Sequence, residues 1–180
     1  MTHTNENPIA LVGLMGAGKS AVARALGERL GTSVADLDAM IEAVEGCSVG
    51  ELFARAGEAW FRERESQLLD QVLLAKVQVI ACGGGIVVDP ARRTALRERC
   101  RVVWLQVEPA EAARRVMAQS ADAATLRPLL AGGQPHARLT GLLAERASLY
   151  EEVAHLRVRT DGQSPEQVAD TIATALAASA

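Results

Sequence analysis

"GLMGAGKS", residues 13–20, lies directly behind the short apolar run IALV at 9–12 and satisfies G-x-x-x-x-G-K-[ST] at every fixed position. Glycines in this pattern let consecutive backbone N–H groups turn toward one point, where the N-terminus of a following helix adds a field that favours anions. Strand, glycine-rich loop and helix in this order read as a phosphate-binding loop (P-loop), and with it an α/β fold. Lys19 is placed to reach the β- and γ-phosphates of a nucleotide, and the Ser20 hydroxyl to ligate Mg²⁺ bridging them.

Outward from this loop, short apolar runs alternate with longer stretches of helical periodicity. IALV (9–12), SVAD (33–36), VQVIAC (77–82), RVVWLQV (101–107) and HLRVRT (155–160) are the predicted strands. Strands separated by helices predict a five-stranded parallel sheet flanked by helices. The helix signals agree. Gly31 follows the helix opened by Gly18, and Ser48 with Glu51 makes a capping box ahead of a segment that stops at Gly57. Ser164, Pro165 and Gln167 supply N-cap, N1 and N3 for the last helix. Residues 119–136, QSADAATLRPLLAGGQPH, break the rhythm with two prolines and a Gly-Gly pair. They read as a mobile loop, either a lid over the phosphate site or a plain surface insertion.

The 180 residues predict a single domain over 1–180. With 49% hydrophobic residues and mixed charges, the composition is that of an ordinary soluble globular protein. The formal charge of −3 has no block of like charges behind it, which argues against a nucleic-acid partner. MTHTNENP carries no signal pattern, and no apolar run approaches the roughly 18 residues that cross a bilayer, so the expected location is cytoplasmic with no membrane partner. Cys47, Cys82 and Cys100, unpaired in spacing, read as free thiols of a reducing compartment.

Other candidates are less specific. Asp36 and Asp38 end the second strand, and strand C-termini in an open parallel sheet line the ligand crevice. One carboxylate there is suited to hold magnesium through water and the other to orient or deprotonate an acceptor hydroxyl. Asp38 alone reads equally as an N-cap ahead of AMIE. The RERE run at 62–65 reads as a solvated helix face, and CGGG at 82–85 as a turn or a close approach to a ligand. Spacing does not raise Arg127 and Arg146 above surface charge. His3, His136 and His155 lack metal-ligand spacing, and Trp60, Phe61 and Trp104 read as core or pocket wall.

Taken together, these motifs resemble shikimate kinases over nearly the whole chain. GLMGAGKS, the D-L-D pair at 36–38, GEAWFRERE at 57–65, GGG at 83–85, RPLL at 127–130 and RASLY at 146–150 stand in family order. The resemblance implies a P-loop kinase of nucleoside-monophosphate-kinase-like fold with a mobile lid. It implies transfer of the γ-phosphoryl of ATP to the 3-hydroxyl of shikimate, with Mg²⁺, by a monomer. Gly16, Ala17, Gly18, Lys19, Ser20 and Ala21 would then wrap the ATP phosphates, with Ser20 binding Mg²⁺ directly and Asp36 through water. Asp38 would contact the substrate hydroxyls as base or orienting group, Arg62 and Arg146 would grip the carboxylate, and Gly84 would supply a backbone contact. Arg127 would close onto the phosphates and Gln163 would lie in the loop touching adenine. Ala21 stands where the family usually has Thr, Cys82 where Thr or Ser is usual, and ADAATL at 121–126 matches no family pattern.

Three rivals remain at this level. A kinase for gluconate or another hydroxy acid would share the loop. A GTPase-type switch needs N-K-x-D, but the only asparagines are Asn5 and Asn7. A P-loop binding module without transfer activity would leave the arginines and aspartates unexplained.

Overall fold

A computed structural model describes residues 7–119 and 134–178. Five strands, β1 (Ile9–Val12), β2 (Val34–Asp36), β3 (Val79–Ala81), β4 (Arg101–Gln106) and β5 (Leu156–Arg159), form one sheet in the order β2-β3-β1-β4-β5. Every pairing is parallel. The helices among the described residues are α1 (Lys19–Leu30), α2 (Leu37–Glu45), α3 (Val49–Leu74), α4 (Pro90–Arg99), α5 (Pro109–Gln119), α6 (Pro135–Val153) and α7 (Pro165–Ala177). All the predicted strands form, several of them shorter than the apolar runs that announced them.

The sheet is covered on both faces, which is why its strands read as continuous apolar runs. Side chains of β1 alternate between two cores. Leu11 packs with Val22 and Leu26 of α1 and Val168 and Ile172 of α7. Ala10 and Val12 pack instead with Leu69 of α3, Leu96 of α4 and Tyr150 of α6. A small third cluster of Ile41, Val49, Leu52 and Phe61 joins α2 to α3.

Parallel strands bring their C-terminal ends to one edge, where open α/β sheets bind ligands. β3, not β2, lies beside β1, so the segments after β3 and β2 both fall on one side of the glycine-rich loop. Helix ends are built as the sequence predicts: Gly18 caps α1 at φ 88°, Gly31 closes it at φ 61°, and Ser48 and Ser164 form capping boxes. Gly57 does not end in a loop. Its φ of 83° and ψ of 168° make a kink that joins two helices end to end within α3. α6 begins at Pro135, whose fixed φ suits N1, so 135 and 136 are helical and not part of a loop. At the other end Gln119 closes α5, so it too is helical, and Gln134 is the N-cap of α6; residues 120–133, including Arg127, lie outside the described residues. No described helix is long and apolar enough to cross a membrane.

Candidate active site

The glycine-rich loop is held down by its neighbours. A Cβ on Gly16, which sits at φ 81°, would lie 2.6 Å from the Ala112 carbonyl oxygen, so only glycine lets the loop rest on α5. Lys19 Nζ donates to the carbonyls of Gly13 and Leu14, both at 3.0 Å, arching back over the loop. Ser20 is exposed in the first turn of α1. A cavity of about 400 Å³ is lined by Gly16, Gly18, Lys19, Ser20 and Ala21, with Asp36, Asp38 and Cys82 facing them. The fold thus gathers most of the sequence-predicted phosphate and metal residues into one space. Ala17 lines an adjoining cavity of about 330 Å³ together with Gln163 and Pro165.

Arg115 of α5 walls both cavities, and sequence reasoning missed it. Its Nη1 donates to the Gly16 carbonyl at 3.3 Å and to Thr160 Oγ1 at 3.0 Å, and its Nη2 to the Thr160 carbonyl at 2.6 Å. The loop after β1 and the loop after β5 are thereby tied together. Glu111, one turn earlier, accepts from Arg115 Nε at 2.7 Å, and hydrogen bonds from Arg114 and Arg115 pull its carboxyl down to about 2. The Glu111/Arg115 spacing of i,i+4 was the one available signal, and it is shared by any solvated helix.

The two aspartates divide their roles. Asp36 is the N-cap of α2, accepting from Ala39 N at 3.2 Å, so the capping role read equally for Asp38 belongs to Asp36. Asp38 falls in the first turn of α2 and turns toward the glycine run: a Cβ on Gly83 would lie 3.1 Å from its Oδ1. Asp38 lines both the 400 Å³ cavity and a narrow cleft formed by Phe53, Phe61, Arg62, the Gly83–Gly85 turn and Arg146.

Within that cleft, Arg62 Nη1 donates to Glu65 Oε2 at 2.7 Å, and its Nε and Nη2 donate to Glu58 Oε1 at 3.3 and 3.2 Å. The rings of Phe53 and Phe61 lie 5.8 and 5.5 Å from its Cζ. Burial opposes its charge, but Glu65 and Glu58 outweigh burial and raise its pKa. Half of the RERE run therefore faces inward, contrary to the solvated-face reading. Glu65 is 1% exposed, and Arg64 turns outward to Glu45 at 3.3 Å. The cause is the helical period: 62 and 65 share the face of α3 that carries Phe61 and Leu69 into the core.

Arg146 Nη1 donates to the Gly84 carbonyl at 3.3 Å, and the Tyr150 hydroxyl donates to the same oxygen. The glycine run is a turn that side chains of α3 approach closely. A Cβ on Gly83 would overlap Glu65 Oε1, and one on Gly85 would overlap the Arg62 guanidinium. Burial raises the Cys82 thiol well above its ordinary value and the Cys100 thiol to about 12, as expected of inert core cysteines.

The family model for shikimate kinase matches residues 15–177. A shikimate kinase of Symbiobacterium thermophilum is 43% identical over 160 residues, covering 89% of this chain and 90% of that protein. The solved structure of shikimate kinase from Acinetobacter baumannii in complex with shikimate matches with a TM-score of 0.89 at 34% identity, over 97% of this chain and 95% of that one. A gluconokinase from Sinorhizobium meliloti matches with a TM-score of 0.59 at 17% identity, over 95% of this chain and 91% of that one, a likeness of fold alone. The chain belongs to the shikimate kinase family.

Proposed function

We propose that this protein transfers the γ-phosphoryl group of ATP to the 3-hydroxyl of shikimate, giving shikimate 3-phosphate and ADP, with the residues described above as its machinery. The reaction is a step of aromatic amino acid biosynthesis. The observation that carries the assignment is the convergence of Arg62 and Arg146 on the Gly83–Gly85 turn, with Asp38 at the junction of that cleft with the phosphate cavity. Two guanidinium groups beside a side-chain-free backbone suit the carboxylate and ring of a small hydroxy acid.

Each residue then has a role. Gly16 to Ala21 cradle the phosphates, with the adenine in the adjoining cavity against Arg115 and Gln163. Lys19 exchanges two neutral loop carbonyls for phosphate oxygens, a charge-assisted bond that favours the bound state. The Ser20 hydroxyl and Asp36 carboxylate are hard oxygen donors on the cavity that holds Lys19, and they fit Mg²⁺. Among the described residues no group of three or more His, Cys, Asp or Glu forms a cage of its own. Bound Mg²⁺ supplies charge compensation at the phosphates.

Asp38 orients the 3-hydroxyl and accepts its proton as the new O–P bond forms and the bond to ADP breaks. Arg62 and Arg146 hold the substrate carboxylate, and the Gly84 backbone meets the ring. Arg127, the candidate for steadying the transferring phosphoryl group, lies outside the described residues. The family resemblance extends the proposal to a cytoplasmic monomer in which 1–180 forms a single unit.

ADP release with MgATP and no acceptor, shikimate, gluconate or a nucleoside monophosphate tests the assignment. Release with shikimate alone supports it. Release with gluconate in place of shikimate overturns the roles of Arg62, Gly84 and Arg146, and no acceptor-dependent release returns the chain to a binding module.

A further inference from the structure

The Gly83–Gly85 turn has no side chains with which to anchor itself, yet the acid-binding cleft is built around it. Its outer peptides are held by short-range bonds, Ile86 N to the Gly83 carbonyl at 3.2 Å and Val88 N to the Gly85 carbonyl at 3.0 Å. The carbonyl of Gly84, the middle peptide, is held by two side chains of α6, the Tyr150 hydroxyl and Arg146 Nη1. Those side chains stand i,i+4 on one face of the helix.

Tyr150 is the rigid member of this pair. Its residue is 0% exposed, and its ring stacks on Trp104 with centroids 5.6 Å apart. Trp104 is in β4, in register with Val12, the last residue of β1 before the phosphate loop. The ring is therefore pinned between α6 and the sheet and its hydroxyl carries little freedom of its own, whereas Arg146 has a long chain and a second task at the substrate.

We propose that Tyr150 is a positioning residue for the acid substrate: its hydroxyl fixes the Gly84 peptide and, through the shared carbonyl, the Arg146 guanidinium. This deepens the reading of the cleft as a shikimate site and rests on it. Without the hydroxyl, the Gly84 oxygen competes for the donors of Arg146, and a glycine-only backbone drifts at little cost. Burial pushes the phenol up to about 12, so it stays a donor at working pH.

Tyr150→Phe keeps the ring and its stack on Trp104 and removes one oxygen. The shikimate KM and the calorimetric shikimate Kd are expected to rise roughly three- to tenfold, the range of one net hydrogen bond, with ATP KM and kcat close to wild type. A loss shared equally between shikimate and ATP, or seen only as a lowered Tm, would mark Tyr150 as merely structural and overturn the proposal. Tyr150 is also the single tyrosine of the chain, so biosynthetic 3-fluorotyrosine places one ¹⁹F reporter there without a substitution. Its resonance should move with shikimate and hold still with ADP. An unmoved resonance together with an unchanged shikimate KM in Tyr150→Phe overturns the positioning role while leaving the shikimate assignment standing. Wild-type protein that turns over no shikimate removes both.

Discussion

Arg62 and Glu65 lie one turn apart on α3 and meet beneath the Gly83–Gly85 turn, with Arg62 Nη1 2.7 Å from Glu65 Oε2. The pair is asymmetric: the Glu65 side chain is 1% exposed and that of Arg62 21%. Glu65 is thus the fixed end, under Gly83, and Arg62 the end presented to a ligand.

Glu65→Gln should weaken this hold without changing side-chain volume. We expect a loss of about 1–3 kcal/mol of stability, since Arg62 keeps Glu58 and part of its solvent contact. Shikimate KM should rise more than ATP KM. Urea denaturation and steady-state kinetics report the two effects, and an unchanged shikimate KM would mean that Arg62 does not depend on Glu65.

Asp38 stands where the phosphate cavity and the acid cleft meet. Asp38→Asn keeps the shape and removes the proton acceptor, so kcat should fall by roughly 10²–10⁴. Nucleotide binding, followed by titration with ADP, should stay near wild type. Turnover retained at the wild-type rate would take Asp38 out of the proton transfer.

Lys76 is the one non-glycine residue with positive φ among those described, at 56°. It follows α3 at the position where glycine usually closes a helix: Val77 N donates to the Val72 carbonyl at 3.1 Å and Lys76 N to the Leu73 carbonyl at 3.2 Å. Lys76→Gly should therefore raise stability, by about 1 kcal/mol, because a left-handed backbone is strained for an L side chain. The site lies before β3, at the edge of the sheet opposite the strand C-termini, and kcat should not change. A lower melting temperature would refute this account of the turn.

His155 Nδ1 accepts from Val102 N at 3.0 Å where β4 and β5 begin to pair, which requires that nitrogen to be unprotonated. Partial burial, and then Arg97 and Arg101, lower its folded pKa below 6.5. The unfolded chain thus binds this proton more readily, so the contribution to stability is present above 6.5 and lost as pH falls through the lowered folded value. Denaturation midpoints between about pH 5 and about pH 8 should show that loss, and His155→Ala should flatten it. Equal slopes in both proteins would exclude His155 as its source.

Part of the site could be read directly from the chain. The residues from Gly13 to Ala21 act through contiguous backbone, so their spacing alone located the phosphate cavity. Arg62, Gly84 and Arg146 came from resemblance, because nothing local distinguishes an arginine on a helix that faces a glycine turn from one that faces water. Glu65 and Tyr150 stand inside the motifs that carry the resemblance but came with no role, and Arg115 escaped both routes. Each is defined by a partner brought close only by folding: Gly83 over Glu65, Thr160 beside Arg115, Gly84 beside Tyr150.

The sequence by itself determined the alternation of strands and helices, the caps at Gly18, Gly31, Ser48 and Ser164, and the phosphate loop. These depend on residues a few positions apart, where propensity, capping and hydrophobic period act on their own. The tertiary structure alone decided that β3 inserts between β2 and β1 and that α6 delivers Arg146 and Tyr150 to one carbonyl. Those outcomes depend on which buried faces pack together, a choice made among groups far apart in the chain and invisible to any local pattern.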